Sequence, residues 1–586
     1  MGQDAIRQNK PYNQFVYELV TAEGHWWDNG AVGYYMRDAG MPLDNMSNTI
    51  QVFLGTQMVC AQCHNHPFDR WTQKEYYELA AFTYGVETRI RPEEVLNVSD
   101  DLDKDSKKRE GRQKYDRNVR RALNEILEPL SFGATESQKT LKLPHDYKYD
   151  DGKPGEAVDP EAPFAQKLAS TRGSERDKYA KWITSDDNPR FTKVIVNRLW
   201  KRVMGVGLIE PVDDFKDDTE ATNPQLLDYL VRTMQRLGYD QRKFLEILYN
   251  TRTYQREAFS GDYEPTDYHF PGPVLQRLTA EQMWDSLLTL TIPDPDAREG
   301  QNNNAKRAEQ TRERAKELLA MGKQRILALA NEVAKHYTAY DEKASAIRAE
   351  LTKAQAAEDD KKVADLRKQL RQADGERDKA VKELMATGTG EGGSAMMASA
   401  MMEEEGMSLF EKRAMERQKE IEAAEAKKRA EEEKKRAAEA KKAGKKVEKP
   451  ADPDAKWKGY DRNLVRASEL PSPAPNNHFV RVFGQSDRDT IENASTEPSV
   501  PQVLELMNGQ MYNQVTAKNS VLMQRVAAAK EPEQKVTAIF LSMFNRQPNE
   551  RERELAEEQF YQHGDERGAL NLVWALLNSR EFAFVQ

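Results

Sequence analysis

The chain has 586 residues and 67.1 kDa, with 88 basic and 97 acidic side chains, a formal net charge of −9 and a pI near 5.7. It is long enough for several cores, yet only 38% of residues are hydrophobic and 32% are charged, so part of it lies outside any apolar core. Acidic residues interleave with every basic run, and no stretch of about 18 apolar residues occurs, which argues against a general nucleic-acid binder and excludes a bilayer-spanning helix.

Residues 1–90 read as short helices rich in aromatics. The opening MGQDAIRQNKPYNQF has no apolar signal segment, and Ile6 stands where a myristoylation pattern requires Ser or Thr. NQFVYELVTAEG puts Phe15, Leu19 and Val20 on one helical face, and TQKEYYELAAFTYG spaces Tyr76, Tyr77, Ala80, Ala81 and Tyr84 likewise. NTIQVFLGTQMVCAQCH predicts a buried helix ending near the histidines, since Pro67 does not continue it.

Residues 91–160 are polar and dotted with Pro and Gly, a linker with one short helix around VRRALNEILEPL. Residues 161–300 return to helical globule. DDNPRFTKVIVNRLWKRVMGVGL opens on Asp187, Asn188 and Pro189, repeats apolar Val194, Ile195, Leu199 and Val203, and stops at Gly205.

Residues 301–455 form an insertion. Leu319, Ile326, Val333, Tyr340 and Ile347 recur every seven residues, and Ala330, Tyr337, Ala344 and Leu351 follow four places after members of that row, which makes a coiled-coil seam. A second run uses Val363, Leu366, Leu370, Ala373, Ala380 and Leu384. The seam closes as a hairpin within the chain or pairs between chains; a first arm continuous for about 50 residues reaches about 75 Å. Beyond it, 388–407 is a Met-rich turn and EKRAMERQKEIEAAEAKKRAEEEKK a charged helix held by i,i+4 pairs. Residues 456–586 are globular helices again. The expected class is a mainly α, multi-part helical protein with a long coiled-coil and charged-helix insertion.

Both cysteines of the chain lie in VCAQCHNHPFDRW, residues 59–71. Two thiols at this spacing reach the vinyl carbons of a haem, and the following histidine becomes an axial iron ligand, so Cys60, Cys63 and His64 are candidate haem c ligands. Three other readings compete. A non-haem metal would use His64 and His66, because no second Cys pair completes a zinc site. A redox dithiol lacks a strand-helix context, and a local disulfide staple belongs in an oxidising compartment. Met58 and His66 are too near in sequence to reach the far face of a haem, which leaves His25 and His145 by distance along the chain. Weaker candidates are a Cu(I) site at Met396, Met397, Met401, Met402 and Met407, and a Ca²⁺ loop at Asp213, Asp214, Asp217 and Asp218, where a solvated loop capping the next helix at Asn223 competes. Asp69 and Arg70 pair with each other or near haem propionates.

FLGTQMVCAQCHNHPFDRWTQKEYYELAAF resembles the signature of the planctomycete cytochrome C-type domain of unknown function. NPRFTKVIVNRLWKRVMGVGLIEPVDDFKDDTEATNPQLLDYL, LYNTRTYQR, RLTAEQMWDSLL, EPSVPQVLELMNGQ and ALLNSREFAF resemble its partner domain, so the likeness covers about 10–85 and 165–586 apart from the insertion. It implies a large envelope protein with haem on Cys60, Cys63 and His64, in a periplasmic or other extracytoplasmic location, from which a longer N-terminus with an export signal is missing here. Asn65 departs from the Asp common in that family. The expected partners are a redox protein and, through the coiled coil, a second copy of the chain. The alternative function is a structural or interaction protein whose Cys motif is a disulfide or metal staple. A third is a metal-dependent hydrolase of envelope or extracellular polymers, with His64, His66 and Asp69 on the metal.

Overall fold

The computed structural model describes residues 2–90, 112–163, 173–298, 300, 304–389, 455–471, 473–485 and 499–585. The Met cluster and the charged helix lie outside these residues.

The fold is mainly α, and its largest core runs from Val16 to Leu248. At its centre is the helix Phe191–Met204, which buries Phe191, Val194, Ile195, Leu199 and Val203 and packs against the helices Pro42–Leu54, Pro224–Arg236 and Gln241–Tyr249. Its limits follow from local chemistry. The Asn188 side chain accepts the N–H groups of Arg190 (3.0 Å) and Phe191 (3.2 Å), and Gly205 closes the helix in the left-handed region at φ 91°. The N-terminal segment and the 173–249 segment thus share one hydrophobic interior.

A three-stranded sheet in the order Gly24–His25, Phe132–Glu136, Val86–Arg89 covers a small separate hydrophobic cluster, where Ala134 and Val86 pack with Ala22, Ala31, Val32 and Tyr35. Its central strand comes from the segment expected as a linker. A second core joins Ala280–Thr291 to the helices between Phe479 and Phe582, and the strand Gln276–Arg277 pairs with Phe584–Val585.

The insertion builds a third core. The helix Lys323–Ala356 turns at Ala357–Asp359 and returns as Asp360–Thr389, so the seam closes as a hairpin within the chain. The helix Arg112–Ile126 packs along it, burying Ala122, Leu123 and Ile126 against Ile326, Ala330, Val333 and Tyr337. The expected 50-residue arm is broken: Asn304–Met321 and Lys323–Ala356 meet at Gly322, whose φ of 73° does not continue a helix. The break leaves Leu319 exposed. In the return helix Val381 and Met385 are buried, whereas Ala380 and Leu384 are only partly so, one place off the expected row.

Candidate functional site

The helix leading to the cysteines ends earlier than expected, at Leu54. Gly55 takes a left-handed conformation (φ 59°), and a Cβ there would lie 2.9 Å from the Val194 side chain. Its carbonyl accepts the Phe215 N–H at 2.5 Å. Contacts from the partner segment therefore stop this helix, twelve residues before Pro67.

The cysteines instead sit on a short 3-10 turn, Val59–Gln62. With three residues per turn, positions i and i+3 eclipse, and the sequence exploits this. Met58 and Ala61 are buried, whereas Cys60 and Cys63 are exposed with free thiols. Val59 and Phe68, on either side of the thiols in sequence, are both exposed apolar residues.

The two histidines differ. His64 is exposed, and its Nδ1 lies 2.8 Å from the Asn65 carbonyl oxygen. A carbonyl only accepts, so Nδ1 carries the proton and Nε2 presents its lone pair to solvent. Ligand histidines are oriented in this way by a hydrogen bond from the other ring nitrogen. His66 Nδ1 instead accepts the Phe68 N–H (3.2 Å), and the His66 N–H donates to the Trp71 carbonyl (2.8 Å), so its ring shapes the loop.

Asn65 is held at both ends. Its N–H donates to the Tyr149 hydroxyl (2.8 Å), and its Oδ1 accepts the Gln73 N–H (2.9 Å) at the start of the helix Gln73–Ala81. An aspartate would accept the same N–H and add a charge favoured at a helix N-terminus, so either residue fits. Gln73 Nε2 donates to the Gln62 carbonyl (3.1 Å), and Thr72 with Glu75 forms a capping box.

Asp69, Arg70 and Trp71 serve a different purpose. Asp69 Oδ1 accepts the Arg70 N–H (2.7 Å). The Arg70 guanidinium stacks 4.1 Å over the buried Trp71 ring and pairs with Asp217 at 2.6 Å. Asp217 also pairs with buried Arg190 (2.7 Å), which donates to Thr56 Oγ1 (2.5 Å) and to the Phe215 carbonyl (2.5 Å). Burial pushes the Arg190 guanidinium below its ordinary pKa, and the Asp217 charge opposes that shift. Asp213 accepts from Gln51 Nε2 (2.7 Å). The acidic loop is thus a joint between segments rather than a cation site, and Asn223 caps the following helix as expected (Leu226 N–H, 3.0 Å). Among the described residues no group of three or more His, Cys, Asp or Glu is placed to hold a metal ion.

A haem is tested against these observations. Both thiols are accessible on one face, and His64 offers Nε2 with its tautomer fixed, so the donor set fits covalent attachment. A cleft of about 530 Å³ borders Gln62 but is not lined by Cys60, Cys63 or His64, and both thiols are exposed, so a group on them lies at the surface. His25 stacks on Trp27 at 4.8 Å beside the insertion core, and His145 is exposed on a loop.

Residues 3–88 match the family model PSCyt2, described as a protein of unknown function (DUF1549), and residues 175–356 match PSD1, a protein of unknown function (DUF1553). The two matches are to the planctomycete cytochrome C domain and its partner domain, in that order. The second match runs to Ala356, the last residue of the first arm helix, so that helix belongs to the matched segment. No curated protein and no solved structure matches the chain. No helix among the described residues is long and apolar enough to cross a membrane. Tyr149 and Arg190 were not legible as site residues, and Asp217 was legible only as a cation-loop candidate, because their partners lie far away in the chain.

Proposed function

We propose that this chain is a c-type haem protein of the cell envelope that passes electrons to a partner protein, with Cys60 and Cys63 forming the thioethers and His64 Nε2 the axial ligand. The observation that carries the reading is the hydrogen bond from His64 Nδ1–H to the Asn65 carbonyl, beside two free thiols on one face of a single turn. When bound, the haem supplies a one-electron carrier. The residues around it supply the rest. Met58 and Ala61 anchor the turn in the core, Asn65 and Tyr149 fix the imidazole, and exposed Val59 and Phe68, on either side of the thiols in sequence, provide apolar surface. Thioether formation of this kind takes place outside the cytoplasm, so an extracytoplasmic location is part of the proposal.

The test is production with a cytochrome c maturation system, followed by absorption spectroscopy and a pyridine haemochrome assay. A Soret band that is lost on Cys60→Ser and Cys63→Ser and shifted by His64→Ala supports the reading. Its absence from the wild-type protein removes it.

A second reading is favoured by the joint Arg70–Asp217–Arg190, in which HNHPFDRW is a structural clasp between the two segments. It accounts for His66, Asp69, Arg70 and Trp71, and leaves the thiols and His64 unassigned.

A further inference from the structure

The cleft of about 530 Å³ lies between two walls, a size typical of small-ligand sites. One wall is the loop and N-terminus of the helix Pro42–Leu54, and the other is the turn and strand running from Thr83 to Arg89. Neither the thiols nor His64 contributes to it.

Three features of the cleft concern hydrogen bonding. The helix begins at Pro42 with no side-chain cap, so the N–H groups of Leu43 and Asp44 have no acceptor among the described residues. Thr83, only 4% exposed, lines the cleft, and its hydroxyl has no partner among the described residues, a costly arrangement unless something satisfies it. Buried Asp38 is the contrast, because its carboxylate is satisfied by Asn45 Nδ2 (3.1 Å) and Asn48 Nδ2 (3.3 Å).

Charge narrows the ligand. Glu87 is paired with Lys139 at 3.1 Å and Asp38 with Arg37 at 3.8 Å, and the other charged lining residues are one acid, Asp44, and one base, Arg89, so no net charge is left to be neutralised. The free groups comprise donors (the two helix N–H groups and Arg89), an acceptor (Asp44) and a hydroxyl that does both (Thr83). A ligand that meets this set carries several groups that each donate and accept, together with no charge of its own. We propose that the cleft binds a neutral polyhydroxylated ligand, a saccharide. The site is separate from the haem reading and stands whether or not the thiols carry one.

The experiment is saturation-transfer difference NMR and calorimetry on the full chain, with cellohexaose, xylohexaose, mannohexaose, hexagalacturonate and an uncharged Thr-Val octapeptide as probes. Saturation transfer to a neutral hexasaccharide is expected, with affinity falling about tenfold in Thr83→Val and in Arg89→Ala. Thr83→Val removes an unsatisfied hydroxyl and keeps the shape, so the thermal midpoint should not fall and misfolding is not confused with lost binding. The proposal is overturned if no neutral hexasaccharide binds, or if binding is unchanged in both variants. It is equally overturned if only hexagalacturonate binds, or only the peptide, which would pair with the edge strand Val86–Arg89.

Discussion

Two regions of the molecule join distant parts of the chain by opposite means. In the arm, the helix Arg112–Ile126 meets Lys323–Ala356 and Asp360–Thr389 through a periodic apolar seam. At the joint beside the cysteines, one buried tryptophan and two arginines clasp a single aspartate. A seam spreads its energy over many interchangeable contacts and tolerates a one-place shift such as Ala380 to Val381. The joint concentrates its energy in groups that need specific partners, which is why HNHPFDRW is more particular than a pair of thiols and a histidine requires.

Substitutions should separate the two designs. The largest loss is expected for Trp71→Ala, which empties a site buried in the main core and removes the surface on which Arg70 stacks, costing about 4 kcal/mol in urea unfolding. Arg190→Leu follows at about 3 kcal/mol, since Thr56 Oγ1 and the Phe215 carbonyl lose a buried donor. Ile326→Ala in the seam costs about 2 to 3 kcal/mol, and its effect should be confined to the arm in hydrogen exchange, leaving the Val59–Gln62 turn unchanged. If Ile326→Ala loosened that turn, the two regions would be one cooperative unit.

The smallest effect is a pH dependence in the arm. Burial raises the Glu125 carboxyl above its ordinary pKa, and the Tyr337 hydroxyl bond and Arg121 oppose this, while Asp378 and Glu128 add to it. A raised pKa means the folded arm holds this proton more tightly than the unfolded chain does. Its contribution is therefore full at acidic pH and is lost as pH rises through the folded value. Amide exchange in Arg112–Ile126 should slow as pH falls from neutral toward 5, after correction for intrinsic exchange rates, and Glu125→Gln should flatten the response.

Local features of this molecule were readable from sequence. The start at Asn188 and stop at Gly205 depend on side chains within a few residues of the helix, and the thiol spacing is a property of the turn itself. The closing of the arm as a hairpin was one of two open readings, since an apolar seam pairs equally well within a chain or between chains. Features set by distant contacts were hidden. Gly55 ends its helix because Val194 and Phe215 press on it, and nothing in NTIQVFLGTQ records that. Gly322 was visible as a residue, but the heptad pattern ran through it. The central strand Phe132–Glu136 is five residues long and exposed at its ends, so its place depends on two short neighbours supplied from elsewhere.

The thiol face of the turn is the central claim, and mass spectrometry tests it most directly. Protein made with a cytochrome c maturation system should yield a proteolytic peptide containing Cys60 and Cys63 whose mass is increased by one covalently bound haem. A peptide with unmodified or disulfide-linked cysteines under those conditions would contradict the account.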